Sequence, residues 1–212
     1  MSGLERPPDE AVNFLTHGLG FMMSVAGAAF LMRLALTSHN TYVSLACGVY
    51  CLTLVATYAA STLSHAFHDL DRRRFFRTVD QASIFFLIAG SFTPFAVGYL
   101  NHGRWWLLLA SMWIFAFAGV AFVLFRKEMS RTDKITYGVL GALSMLSFWE
   151  LYHVAPLNML LLIIAGEAFY LAGSVFLALG KTTKHFHALW HIFVLAGSAC
   201  HYAGIAAYVA IR

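Results

Sequence analysis

Long apolar stretches follow one another along almost the whole chain, separated by charge clusters or by proline and glycine. A helix that crosses the hydrocarbon layer of a membrane needs about 20 predominantly apolar residues. Dividing the sequence at its charge clusters and Pro/Gly breaks gives seven such candidates. They are residues 14–34, 42–66, 80–100, 105–125, 134–153, 156–179 and 186–210. The sequence therefore predicts an all-α membrane protein with seven transmembrane helices.

The composition agrees with a membrane protein. Of the 212 residues, 60% are hydrophobic and 11% are charged, whereas a soluble domain is roughly half apolar and a quarter charged. The fifth candidate is the weakest span, because it carries Gly138, Gly141 and Glu150. We expect a short cytoplasmic N-terminal segment, residues 1–13, followed by one seven-helix domain, residues 14–212. The first segment lacks the basic start of a signal peptide, so no cleaved leader is expected.

The distribution of lysine and arginine predicts the orientation, because cytoplasmic loops are enriched in these residues. With the N-terminus in the cytoplasm and the C-terminus outside, eleven of the fourteen basic residues lie inside. They are Arg6, Arg72, Arg73, Arg74, Arg77, Arg126, Lys127, Arg131, Lys134, Lys181 and Lys184. This asymmetry accounts for the net charge of +4, so an anionic inner leaflet is the expected partner and nucleic acid is not.

Histidines are concentrated at the predicted cytoplasmic ends of the helices. His187 and His191, at the start of span seven, lie four residues apart, so they share one face of a helix and can bind one metal ion. Span two ends near His65, and span three begins at Asp80. The topology thus predicts that three imidazoles and a carboxylate meet at one depth, where ionisable groups are costly unless paired or metal-bound.

Three histidines with an open fourth position are typical of a catalytic zinc site, whereas structural zinc sites are usually closed by four protein ligands. The nitrogen-rich set favours zinc over magnesium or calcium. Asp80 is then a candidate to deprotonate water or to orient a ligating imidazole, and Ser61, one turn before His65, is a candidate for similar support. The alternative is a network of histidine, aspartate and serine hydrogen bonds that only holds the helices together.

Polar residues also recur at helical spacing at the start of span one, in the segment DEAVNFLTHGLG. Glu10, Asn13 and His17 share a face at the predicted cytoplasmic end. They form either an N-terminal capping segment or the rim of the same cavity, where they contact a lipid headgroup or brace the loops. Glu167 and His201 fall near the middle of spans six and seven, and we expect them to pair rather than to carry protons.

Four motifs together resemble the hemolysin III family. That family is the bacterial branch of the progestin and adipoQ receptor superfamily, which includes the adiponectin receptors. The motifs are E-x2-N-x2-T-H-x2-G from Glu10, S-x3-H at Ser61 and His65, D-x2-S-I-x4-A-G-S-x-T-P from Asp80, and H-A-L-W-H with a later H-Y at His201. The resemblance covers essentially the whole chain.

The resemblance implies a seven-helix fold in a bacterial inner membrane, with a zinc ion near the cytoplasmic face. By motif, His65, His187 and His191 match the metal ligands, Asp80 the acid that reaches the metal through water, and Ser61 the serine of the same motif. The superfamily contains alkaline ceramidases, so the resemblance implies hydrolysis of a lipid amide or ester bond, or lipid sensing. One departure is the lack of a long N-terminal domain and of sizeable outer loops, which leaves a protein hormone little to bind.

Three functions stay open from the sequence. A zinc hydrolase would use Asp80 as the general base towards a lipid that enters from the bilayer. A sensor or regulator of membrane composition would bind a lipid without turnover, around a structural zinc. A pore, which the family name implies, requires polar residues along the full depth of a helix, and here they cluster at one end. The oligomeric state is not predicted.

Overall fold

The described part of the chain is helical. The computed structural model describes residues 10–126, 131–180, 183 and 185–212; for residues 131–134 it describes the backbone but not the side chains. Within these residues there are eight α-helices, one short 3-10 helix and no β-strand. The α-helices are α1 (Glu10–Thr37), α2 (Thr41–Ala66), α3 (Leu70–Tyr99), α4 (Arg104–Arg126), α5 (Arg131–Ser144), α6 (Phe148–Val154), α7 (Leu157–Leu179) and α8 (Phe186–Tyr208). The prediction of an all-α protein is confirmed for this part of the chain.

Six helices are long and apolar enough to cross a membrane, namely α1, α2, α3, α4, α7 and α8. Each of them overlaps one of the predicted spans, so the protein is a multi-pass membrane protein. The largest difference is at α3, which begins at Leu70 rather than near residue 80. Asp69 accounts for the early start, because its carboxylate accepts the backbone N–H of Arg72 at 2.9 Å and caps the helix.

The fifth predicted span, residues 134–153, is not one continuous helix. A 3-10 turn at Met145–Ser147 separates α5 from α6, and neither helix is among the six of spanning length and hydropathy. Gly138 and Gly141 each lower helix propensity by about 1 kcal/mol relative to alanine. A side chain at either position would meet no atom within 4 Å, so close packing does not explain these glycines.

The segment from α5 to α6 nevertheless contacts α3 near its start and the residues that follow α3 near its end. Near its start, the Tyr137 hydroxyl donates to the Gln81 carbonyl at 2.5 Å, and the Tyr137 and Phe85 rings lie 4.5 Å apart. Near its end, Glu150 Oε1 lies 3.6 Å from Nε2 of His102, which follows the end of α3. At about 1.5 Å per residue, the stretch from Gln81 to His102 covers roughly 30 Å.

Successive helices pack against one another, and α8 contacts α7, α1 and α3. Small residues allow the close approach of α7 and α8, as is common between membrane helices. A Cβ at Gly197 would lie 2.6 Å from the Tyr170 ring, and one at Gly166 would collide with His201. This packing brings the starts of α1, α3 and α8 to the same end of the bundle as the ends of α2 and α7. We call it the histidine end, after His65 and His187.

Residues 1–9, which make up most of the predicted N-terminal segment, lie outside the described residues. So do Lys127, Lys181 and Lys184, and the side chains of Arg131 and Lys134. The charges of this group, with that of Arg6, contribute to the predicted orientation through the sequence alone.

Candidate metal centre

Three histidines from two helices converge at the histidine end. One ring nitrogen from each of His65, His187 and His191 lies within 4.8 Å of the other two. The ring centroids are 5.5 Å apart for His65 and His187, 5.2 Å for His65 and His191, and 4.4 Å for His187 and His191. His65 and His191 are buried and His187 is half-buried. The cluster can hold a metal ion while one ligand stays close to the surface.

The first of these histidines is oriented by Glu10. Nδ1 of His65 lies 2.5 Å from Oε2 of Glu10. The other carboxylate oxygen, Oε1, accepts hydrogen bonds from Arg73 and, at 3.0 Å, from Arg77. Because the carboxylate accepts a hydrogen bond from Nδ1–H of His65, Nε2 of His65 is the atom that would bind a metal. A carboxylate on the second ring nitrogen is the usual outer partner of a metal-binding histidine.

His191 is oriented by the same helix, through Thr16. The Thr16 hydroxyl lies 3.2 Å from Nδ1 of His191. This hydroxyl donates to the backbone carbonyls of Val12 and Asn13, each at 2.9 Å. It therefore accepts a hydrogen bond from Nδ1–H of His191, so Nε2 of His191 is the nitrogen that would bind a metal. Thus α1 supplies the outer partners of two of the three histidines.

Asp80 lines a cavity of about 320 Å³ together with two of the histidines. Ser61 and Ser64 lie within reach of its carboxylate, and the Ser64 hydroxyl also donates to the Ser61 carbonyl at 2.8 Å. Ser64 lines the cavity, whereas Ser61 is buried and is not part of the lining. The full lining is Ser64, His65, Arg77, Asp80, Gln81, Leu177, Gly180 and His187. The cavity therefore joins two of the three histidines to one carboxylate.

The polar face of α1 is buried rather than exposed at a rim. Glu10 is 2% exposed, and Asn13 and His17 are each 4% exposed. Glu10 contacts His65 and two arginines of α3. A position at the cavity rim, with contact to a lipid headgroup or bracing of the loops, stays a prediction. The ring of His17 lies 3.7 Å from that of His191, centroid to centroid. A fourth imidazole therefore adjoins the three predicted ones.

Sequence reasoning did not single out the partners that orient the histidines. It gave that role to Asp80 as one of two possibilities, whereas the structure has Glu10 on His65 and Thr16 on His191. Thr16 is the threonine of the E-x2-N-x2-T-H motif, but the motif did not indicate that it contacts a histidine. Nothing in the local sequence connects it with a histidine 175 residues away.

Further polar side chains continue from this site into the bundle. The Tyr58 hydroxyl donates to Ser198 Oγ at 2.9 Å, and the Tyr170 hydroxyl lies 3.1 Å from the same oxygen. Glu167 Oε1 lies 3.6 Å from Nε2 of His201, which is the expected pairing across α7 and α8. Buried polar residues are therefore not confined to the histidine end, although the three clustered histidines are.

Helices of spanning length around a buried histidine cluster define a class, that of multi-pass membrane proteins with a candidate metal centre between their helices. The sequence profile of one family, described as "Haemolysin-III related", matches residues 6–202. The chain therefore belongs to the haemolysin-III related family. The family predicted from the four motifs is confirmed.

Individual relatives cover nearly the whole chain. Hemolysin-3 of Bacillus cereus is 31% identical over 202 residues, which are 95% of this chain and 92% of the relative. The Hemolysin-3 homolog of Bacillus subtilis (strain 168) is 30% identical and covers 90% of each chain. The human monocyte to macrophage differentiation factor is 26% identical over 95% of this chain and 84% of its own length. The chain is thereby also related to the progestin and adipoQ receptor proteins, as the motifs predicted.

Proposed function

We propose that this protein is a zinc-dependent hydrolase that cleaves an amide or ester bond of a membrane lipid at the cytoplasmic side of the membrane. One observation carries the proposal. Three imidazoles have nitrogens within 4.8 Å of one another, and two of them, His65 and His187, line a cavity that Asp80 also lines. Metal-binding nitrogens and a general base next to one cavity are the elements that metal-assisted hydrolysis requires.

Zinc fits these residues better than a hard cation does. All three clustered donors are imidazole nitrogens, which suit zinc, whereas calcium and magnesium prefer oxygen ligands. The Nδ1 atoms of His65 and His191 face Glu10 and Thr16, so Nε2 is the nitrogen with which each ring would bind a metal. When bound by such a set, zinc acidifies water and polarises a carbonyl oxygen.

The side chains around the cavity have separate roles in this proposal. Asp80 accepts a proton from water and later returns it to the leaving amine or alcohol. Ser61 and Ser64 fix the direction of the Asp80 carboxylate through their hydroxyls. Glu10 keeps Nδ1 of His65 protonated, so that Nε2 stays available as a ligand. Ser61 is a positioning residue here, because it is not part of the cavity lining.

The proposed substrate is a membrane lipid, because the cavity lies at the ends of helices of spanning length. Leu177 and Gly180, at the end of α7, form part of its wall. Arginines on the first turns of α3 lie beside it. Arg77 lines this cavity and, with Arg73, Arg74 and Leu70, also lines a second, smaller one. An anionic inner leaflet is the surface that such a basic end would face.

We also propose that the chain crosses the membrane seven times, with the N-terminus in the cytoplasm, the C-terminus outside and one seven-helix domain. The course of residues 131–154 supports the seventh crossing. This segment contacts Gln81, in the first half of α3, and His102, beyond the end of α3. The stretch between these two residues is close to the thickness of a bilayer core, about 30 Å. The interruption at Met145–Ser147 is a 3-10 turn, and such local adjustments, which satisfy the backbone groups within the chain, are tolerated at membrane depth. A bacterial inner membrane is the proposed location.

A lipid sensor with a structural zinc is the second candidate. The observation that favours it is the contact between His17 and His191, whose ring centroids are 3.7 Å apart. A site closed by four protein ligands is the usual structural form. Nothing comparable favours a pore, since the buried hydroxyls of Tyr58, Ser198 and Tyr170 are hydrogen-bonded to one another.

The test compares variants of the purified protein for zinc content and for products released from bacterial lipid extracts. Asp80→Asn should retain zinc and lose nearly all turnover, because the base is removed while the ligands remain. His65→Ala should lose both. Asp71→Asn, which removes an exposed carboxylate from the same helix, is the matched control and should keep both.

Two results would decide against hydrolysis. Zinc bound in the wild type without product from any extract favours the sensor, as do identical cellular lipid profiles after overexpression of the wild type and Asp80→Asn. A folded wild type without zinc would leave a hydrogen-bond network as the better account of the cluster.

A further inference from the structure

His17 is a buried imidazole without a hydrogen-bond partner. It is 4% exposed, and neither ring nitrogen has a partner among the described residues. The nearest hydroxyl-bearing ring is that of Tyr58, at 5.5 Å between centroids, and its hydroxyl donates to Ser198. Buried polar groups are nearly always paired, and each exception calls for an explanation such as an ion or a water molecule.

The surroundings of His17 are the other three histidines. Its ring meets that of His191 edge-on, at 3.7 Å between centroids and 85° between planes. The His191 ring in turn lies 4.4 Å from that of His187 and 5.2 Å from that of His65, centroid to centroid. Four imidazoles from α1, α2 and α8 therefore lie together, and both nitrogens of His17 lack a hydrogen-bond partner among the described residues.

A second unpartnered atom lies next to His17. Oδ1 of Asn13 is buried and has no hydrogen-bond partner among the described residues. Asn13 precedes His17 by four residues, so the two side chains are neighbours on one face of α1. The same face carries Glu10, the partner of His65, and adjoins Thr16, the partner of His191.

We infer that His17 is a fourth ligand of the metal ion and that Asn13 is the acceptor that orients it. The inference rests on the metal centre proposed above. It assigns one outer partner on α1 to each of three ligands, with Glu10 for His65, Thr16 for His191 and Asn13 for His17. Oδ1 of Asn13 and the nitrogens of His17 are not hydrogen-bonded to each other in this structure. The hydrogen bond to Asn13 and the bond to the metal would therefore form together, each satisfying one of the two nitrogens.

Binding by His17 requires a rotation of its side chain. His17 is not part of the group whose nitrogens lie within 4.8 Å of one another. The centre therefore has two arrangements, an open one with three imidazoles and a closed one in which His17 completes four. Zinc accepts either arrangement, because it binds four ligands in closed sites and keeps one position for water in open ones. His17 would then have to leave, or a fifth position open, before hydrolysis.

The test counts imidazole ligands by X-ray absorption spectroscopy of the full-length protein loaded with zinc in detergent. We expect four imidazoles in the wild type, and three with one oxygen ligand in His17→Ala and His17→Phe. Phenylalanine keeps an aromatic ring against His191 but has no nitrogen, so it separates ligation from packing. Zinc retention against a chelator should fall about tenfold or more in both variants. His153→Ala, an exposed histidine on α6, is the control and should change neither quantity.

Each outcome decides the inference. Three imidazoles in the wild type, together with unchanged zinc retention in His17→Phe, would show that His17 only packs against the centre or holds a water molecule with Asn13. The three-histidine centre would survive that result. A wild type that binds no zinc would overturn the centre and this inference together. If His17→Ala does not fold, His17→Phe and His17→Gln give the same comparison.

Discussion

At the residue scale, one carboxylate connects the candidate metal centre with the arginines at the start of α3. Glu10 is buried, and its two oxygens are divided between His65 and the pair Arg73 and Arg77. A buried charge is stable only when such partners compensate for its lost hydration. Glu10 therefore keeps His65 in one tautomer and at the same time holds the start of α1 against α3.

We predict that Glu10→Gln weakens zinc binding about tenfold to a hundredfold, the usual range for loss of an outer partner. Glutamine keeps the shape of the side chain, but it leaves Arg73 without a counter-charge at a largely buried position. The measurement is zinc retention against a chelator, with the thermal midpoint as a check on folding. Glu150→Gln, at the other end of the bundle near His102, is the control. Equal retention in the two variants would contradict a role for Glu10 in orienting His65.

The clustering of the ligands was predictable from sequence, whereas their outer partners were not. His187 and His191 are one turn apart on α8. Because successive spans cross the membrane in opposite directions, the sequence also predicts that His65, at the end of span two, lies at the same depth as the start of span seven. The contacts of Glu10 and Thr16 depend on which face of α1 turns towards α2 and α8. The rotation of α1 about its axis is determined by packing between helices that are distant in sequence, so hydropathy does not predict it.

At the element scale, the position of α1 depends on one glycine. A Cβ at Gly20 would lie 2.7 Å from Leu195 of α8 and 2.8 Å from the Tyr58 ring of α2. Only a residue without a side chain allows α1 to approach both helices this closely. The approach matters for the site because Glu10, Thr16 and His17 reach it from α1.

We predict that Gly20→Ala destabilises the protein by about 1–3 kcal/mol, as overpacking of a close contact does, and also reduces zinc retention although no ligand is changed. The added methyl group pushes α1 away from Tyr58 and Leu195. Gly18→Ala is a close control, because a Cβ there meets the nearest atom, of Thr62, at an ordinary 3.9 Å. Thermal unfolding and zinc retention of the two variants are compared. If Gly18→Ala is as damaging as Gly20→Ala, general loss of glycine rather than the approach of α1 is responsible.

Hydropathy predicted six of the helices, but it did not predict the break between α5 and α6. The length of an apolar stretch is a property of composition, so spans are readable from sequence. Whether such a stretch stays one helix depends on local competition, here at the 3-10 turn of Met145–Ser147. The sequence showed a weak fifth span through its glycines, and the structure locates the interruption a few residues after them.

At the scale of the whole molecule, a metal ion would join parts of the chain that are far apart in sequence. His65 ends α2, while His187 and His191 begin α8. At the histidine end, α2 and α8 contact each other through the rings of His65, His187 and His191. A ligand that binds only the folded state stabilises it by mass action.

We therefore predict that removal of zinc by a chelator lowers the thermal midpoint of the wild type. With free zinc at a thousand times its dissociation constant, the stabilisation is about 4 kcal/mol. The variant with both His187 and His191 changed to alanine should unfold at a midpoint that neither zinc nor chelator shifts. Full zinc occupancy in this double variant, measured by elemental analysis, would end the assignment of these residues as ligands.

The last prediction concerns the number of crossings and the side of the membrane that the site faces. If the N-terminus is cytoplasmic and residues 131–154 cross, the histidine end is cytoplasmic, and Tyr152 and the loop at Asn101 lie outside. Both side chains are exposed, so Tyr152→Cys and Asn101→Cys should react in intact cells with a maleimide that does not cross membranes. The native cysteines are Cys47 and Cys51, which are buried, and the half-buried Cys200.

Asp71→Cys, at the exposed start of α3, is the matched variant for the opposite side and should react only after the cells are opened. All three variants are made with Cys200 replaced by serine. Labelling of Asn101→Cys but not of Tyr152→Cys in intact cells would mean that residues 131–154 stay on the cytoplasmic side, so that six crossings leave both termini inside. Labelling of Asp71→Cys in intact cells would reverse the orientation and turn the histidine end, with its arginines, to the outside.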